Sequence, residues 1–125
     1  MTSVVRYPDM RANVVGAVRA LADPEFQRRA WIRKGPPQPG FAFDFTFYVN
    51  VLDDVRMRED PAATIGEILR NQKEVDVMKE LASSLESLFH ELGVERTDEE
   101  YLASPLWKPV VAAAKDALVI LEEDS

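Results

Sequence analysis

The side chains with the most obvious chemical capacity in this sequence are four acids, Asp53, Asp54, Glu59 and Asp60. They lie within the single run Asp53-Asp54-Val55-Arg56-Met57-Arg58-Glu59-Asp60. Carboxylates at that density can supply oxygen ligands to calcium or magnesium, or present a charged surface to a cationic partner. The spacing matches no calcium-loop pattern, and the glycine such a loop needs for its sharp turn is absent. The paired Glu-x-x-His motifs of a di-metal bundle are absent as well. The run therefore reads as a solvated charged connector, and no metal or other cofactor is expected.

Nucleophilic catalysis has little material. His90 is the one histidine, placed in the last turns of a long helical pattern. A triad would need a serine and an orienting acid beside it. Ser87 and Glu86 lie three and four residues before it, within reach on a helix, and Ser83 and Ser84 share that helix. A surface histidine near a helix C-terminus, where positive charge is mildly favourable, is the simpler account. No catalytic residue is assigned. The five glycines form neither a dinucleotide-binding nor a phosphate-loop pattern.

Two tryptophans sit in suggestive company. Arg28-Arg29-Ala30-Trp31-Ile32-Arg33-Lys34 interleaves cations with an aromatic, as nucleic-acid and membrane-surface segments do. Trp107 stands between Pro105 and Pro109, where it could anchor a partner. Burial in a core explains both tryptophans more simply, with the arginine stems lying along the surface.

The charge balance sets the class of partner. The formal net charge is −7, unevenly spread. Residues 1–35 carry seven Arg/Lys against three acids, a net of +4, and the remainder carries eight against nineteen, a net of −11. An acidic chain repels phosphate backbones at long range, so neither nucleic acid nor a membrane is expected as a partner. A basic protein is. The absence of cysteine removes disulfides, thiolate metal sites and thiol nucleophiles together. With no apolar leader and no long apolar run, the expected location is the cytoplasm.

These groups must be positioned by helices, whose starts are legible. Asp23-Pro24, Asp60-Pro61 and Ser104-Pro105 each place a capping side chain before a proline suited to the first helical position. Asn71 with Glu74, and Thr97 with Glu100, have capping-box spacing, and Asp9 is placed to cap the first helix. The apolar periods then predict helices over 10–22, 24–33, 61–70 and 72–92, a turn at 98–102, and a last helix starting near 107–109. Met10, Val14, Val15, Val18 and Leu21 form the stripe of the first, and Ile65, Ile68 and Leu69 the buried face of the third. Gly93 is placed to end the long helix in a left-handed conformation. Gly35-Pro36-Pro37-Gln38-Pro39-Gly40 reads as an internal loop.

One segment has two readings. Phe41, Phe43, Phe45, Phe47, Val49 and Val51 alternate as a strand would, while Phe41, Phe45, Tyr48, Leu52 and Val55 recur as a helix would. A strand needs a partner, and only Val4-Val5-Arg6-Tyr7 is offered. The helix, over 43–54, is preferred. The expected fold is all-α, one domain of residues 1–125 built as a bundle of about five to six helices. The alternative is α+β, with a short strand pair using residues 41–52.

Leu21-Ala22-Asp23-Pro24-Glu25-Phe26-Gln27-Arg28-Arg29-Ala30-Trp31 and Tyr101-Leu102-Ala103-Ser104-Pro105-Leu106-Trp107, with the Val110-Val111 and alanine-rich end that follows, resemble a family of small actinobacterial proteins of unknown function. The resemblance implies a bacterial cytoplasmic protein and carries no activity or catalytic residues. Taken together, the residues point to a non-enzymatic protein-binding or regulatory module, of an immunity-like kind, with an acidic surface at Asp53, Asp54, Glu59 and Asp60. A small-ligand binder or hydrolase using carboxylates between helices is the alternative, and a self-associating homo-oligomeric module is a third.

Overall fold

The computed structural model describes residues 5–32 and 44–123. The Pro/Gly-rich loop at 35–40, Phe41, Phe43 and the Arg33-Lys34 end of the basic stretch lie outside the described residues. Six α-helices and no strand occur among the described residues. They are α1 (Pro8–Ala22), α2 (Pro24–Gln27), α3 (Phe45–Asp54), α4 (Gln72–Leu92), α5 (Asp98–Ala103) and α6 (Trp107–Leu121). The fold is all-α, and the part of the alternative strand pair that lies among the described residues, 45–52, is helical.

Helix α3 shows why the helical period prevails over the alternation. Phe45, Val49 and Leu52 are buried on one face, while Phe47, an inward position in a strand reading, is exposed. Asp44, whose carboxylate accepts from the Phe47 N–H, caps the start. The Val5–Tyr7 backbone does find partners, but in the loop before α4. The Arg6 and Tyr7 N–H groups donate to the Gly66 and Glu67 carbonyls at 2.9 and 2.8 Å.

The core is one apolar cluster. α1 packs on α6 and α3, and α4 packs on α6. Val14, Val18 and Leu21 of α1 share it with Val110, Ala114 and Ala117 of α6, whose small residues allow close helix approach. An aromatic group fills one end: Phe45 stands 4.9 Å from Tyr101, 5.0 Å from Trp107 and 5.9 Å from Trp31, centroid to centroid. The edge-to-face pairs of Phe45 with Tyr101 and Trp107 hold orientation as well as burying area.

The caps at Asp23, Asn71 and Thr97 form as expected, each accepting the N–H three residues on, and Thr97 with Glu100 closes a full capping box. Several expectations are corrected. Asp9 lies inside the first turn of α1, because Tyr7 and Pro8 already start the helix, and Met10 faces solvent instead of joining the core stripe. Past Gln27 the second helix widens into a π turn over Arg28–Ile32. The helix expected over 61–70 is only a 3-10 turn, Pro61–Thr64. Gly66 at φ 87 reverses the chain there, the Thr64 carbonyl accepts from Glu67, Ile68 and Leu69, and Ile65 is left exposed. Asp60 makes no side-chain cap, and Ser104 accepts from Leu106 without capping α6.

Candidate functional site

The acidic connector joins α3 to the Pro61–Thr64 turn and is anchored at both ends. Met57 is fully buried, its N–H donating to the Leu52 carbonyl at 2.9 Å, and Pro61 is buried too. Just before Met57, Arg56 takes φ 60, the left-handed region that side chains with a Cβ rarely enter. Holding it there costs about 1–2 kcal/mol, supplied by the packing on either side.

The four acids are treated differently by this geometry. Asp53 is bound by Arg58, whose Nε and Nη2 donate to its two oxygens at 2.6 and 2.8 Å, a bidentate pair. The same guanidinium lies 5.3 Å over the Phe89 ring and 3.9 Å from Glu86. Glu59 faces Arg56 loosely, at 3.6 Å and with both side chains largely solvated. Asp54 and Asp60 are exposed and make no ion pair among the described residues. All four acids thus lie at the surface, with Asp53 neutralised by Arg58 and Asp54, Glu59 and Asp60 left more open to water. No three Asp, Glu or His side chains are grouped closely enough to hold a metal ion among the described residues.

Elsewhere the candidate residues fall where packing takes them. His90 is exposed, and Glu86, four residues before it, is turned to Arg58. Trp31 and Trp107 are both buried. The Trp107 Nε1–H donates to the side-chain oxygen of Gln27, Oε1, at 3.0 Å. The amide of Gln27, itself fully buried, donates in turn to the Ala20 and Leu21 carbonyls. Gln27 thereby ties the end of α1 to the start of α6.

Sequence reasoning misses a buried ionic cluster. Glu74, expected only as a capping-box partner of Asn71, is fully buried and accepts four hydrogen bonds. Arg11 donates through both terminal nitrogens at 2.8 and 2.9 Å, and Arg70 donates through its backbone N–H and its Nε, both at 2.7 Å. Burial alone would push the Glu74 carboxyl up. The hydrogen bonds and charge of Arg11 and Arg70 outweigh it and hold the group below the ordinary carboxylate range. Two cations against one anion leave a surplus positive charge at the C-terminal end of α6. There Arg11 donates to the Leu121 carbonyl and Arg70 to the Glu123 carbonyl, at 2.9 and 2.8 Å. The Leu121 carbonyl, in the last turn of α6, carries the negative end of the helix dipole. A signal existed: Arg11 shares the inward stripe of Val14, Val15 and Val18, and Glu74 that of Met78 and Leu81. Oppositely charged residues at inward positions of two helices are candidates for pairing.

A carboxylate fixed in its ionised form by two guanidinium groups is unsuited to proton transfer. The cluster is structural, and the exposed connector remains the surface with chemistry to offer. No curated protein and no solved structure matches the chain. A family model does, that of the domain of unknown function DUF7945, and since it spans residues 5–125 the chain belongs to that uncharacterised family.

Proposed function

We propose that this protein is a non-enzymatic binding module, regulatory or immunity-like, that presents the acidic connector to a basic protein partner in a bacterial cytoplasm. The observation that carries the reading is the strained connector. Arg56 at φ 60 is retained between the buried Leu52 and Met57, and Asp54, Glu59 and Asp60 around it face water. Backbone strain of this kind is kept where a surface is used. The net charge of −11 over residues 36–125 supports a cationic partner, because complementary charge speeds encounter and rejects wrong partners.

The test is affinity capture from source lysate with the wild-type chain and with the Asp54→Lys, Glu59→Lys, Asp60→Lys triple variant. Asp53 is left intact to preserve its pair with Arg58. Recovery of a basic partner is expected to fall about tenfold or more in the variant, and to fall with added salt for the wild type. Equal recovery by both chains would overturn the proposal.

A further inference from the structure

The two residues after α6 lay their carboxylates on cations from α1 and α4. Arg19 pairs with Glu122 at 2.8 Å and Lys73 with Glu123 at 3.0 Å, while Arg70, in the loop before α4, donates to the Glu123 carbonyl at 2.8 Å. Arg11 and Arg70 complete the group through Glu74. Among the described residues, the ion pairs of these four cations go to Glu74, Glu122 and Glu123 alone. Asp76, on the same helix as Lys73, is held by the Gln72 amide instead. Without Glu122 and Glu123, four cations would therefore face the single carboxylate of Glu74. Exposure separates the two kinds of pair. The Glu74 side chain is buried, whereas Arg19 and Glu122 are 58% and 49% exposed, and Lys73 and Glu123 are 62% and 44% exposed. A solvated pair favours its closed arrangement by about fivefold at most. The two glutamates are thus loosely held over a site that is strongly cationic beneath them.

We propose that Arg19, Arg70 and Lys73 form a seat for an acidic peptide segment of a partner, and that Glu122 and Glu123 occupy it as an internal competitor. The chemistry of the occupant is read from the segment already there. Two adjacent carboxylates reach cations on two different helices, and a backbone carbonyl beside them accepts from Arg70. A phosphate matches the charge but supplies neither that spacing nor the carbonyl. Glu74 keeps Arg70 in place by binding its Nε, which leaves Nη2 turned to the segment. The net charge of −7 slows the approach of an acidic segment, so the seat selects at contact and not at a distance. The inference uses none of the connector's residues and stands independently of the function proposed above.

The test uses the full chain labelled with ¹⁵N, as wild type and as the Glu122→Gln, Glu123→Gln double variant, with peptides of about ten residues. One peptide carries two adjacent Glu at its centre, and one carries Gln there. Inorganic phosphate is the third probe. The Glu peptide is expected to shift the amides of Arg19, Arg70 and Lys73. It is expected to bind the double variant about tenfold more tightly than the wild type, because apparent affinity scales with the fraction of chains whose seat is open. Adding Lys73→Glu is expected to weaken that binding about fivefold or more, and added salt to weaken it further. The substituted positions are exposed, and matching thermal melts show that the variants fold; where the double variant melts early, Glu123→Gln alone carries the comparison. Equal affinity of the Glu peptide for wild type and variant would overturn the internal competition. No binding to either chain, or binding indifferent to Lys73→Glu, would overturn the seat. Equal binding of the Gln peptide, or phosphate binding as tight as that of the Glu peptide, would overturn the choice of an acidic peptide.

Discussion

Replacing Glu74 by Gln keeps the volume of the side chain and removes its charge. In the wild type the carboxylate accepts four hydrogen bonds, three of them from guanidinium groups. The side chains of Arg11 and Arg70 are 16% and 10% exposed, so neither cation has ready access to water. An amide has one acceptor oxygen, and its NH₂ would face donors on the other side. The variant therefore leaves two confined like charges without their counter-charge and about half of the hydrogen bonds unmade. Breaking a buried pair in this way costs about 3–5 kcal/mol. For a chain of this length that is a fall in melting temperature of about 10 °C or more, and in urea midpoint of roughly 2 M. Urea titration followed by the fluorescence of Trp31 and Trp107 measures it, since both indoles are buried. The pH dependence follows from the same carboxylate. Its folded-state pKa is depressed, so its contribution is present above the unfolded value of about 4.3 and is lost as pH falls through the folded value. The gap between wild type and Glu74→Gln should accordingly narrow in acid. A loss below about 1 kcal/mol at neutral pH, or a gap that does not change in acid, would refute the assignment of Glu74 as the charged centre of the cluster.

Three further outcomes are expected. Gln27→Leu removes the acceptor of the Trp107 indole and the donors to Ala20 and Leu21, and should lower stability by about 2–3 kcal/mol by urea titration. Gly93→Ala should cost about 1–3 kcal/mol through the backbone alone, because Gly93 has φ 82 with nothing within 4 Å of an added Cβ. Thr97→Ala, which removes the capping box of α5, should cost about 1 kcal/mol and leave the far-ultraviolet spectrum nearly unchanged.

The parts of the fold that were legible are those set by neighbours in sequence. A cap acts over three residues, so Asp23, Asn71 and Thr97 could be recognised from their spacing. The span of α4 followed from an apolar face bounded by Asn71 and Gly93. Gly93 itself has the positive φ expected, but its ψ of 179 places it in an extended region open to glycine alone, outside the usual left-handed cap. The same local reasoning failed at Asp60-Pro61, where a sound helix start is cancelled a few residues later by the reversal at Gly66. Of the candidate site, the run of acids was visible, but the pairing of Asp53 with Arg58 was not, since Arg58 also packs over Phe89, from a distant part of the chain. Nothing local tells that Glu74 is met by Arg11, a pairing across 63 residues, or that Gln27 is met by Trp107, across 80.

That long-range clasp bears on how the chain is made. Arg11 and the Leu121 carbonyl it grips are 110 residues apart, an interval of on the order of 10 s at ordinary rates of translation. Through that interval Val14, Val18 and Leu21 have been synthesised without the α6 surface that covers them. Arg11 and Glu74 can meet earlier, but the helix end they hold does not yet exist. Native closure of that apolar flank is therefore an event that follows synthesis of residue 121.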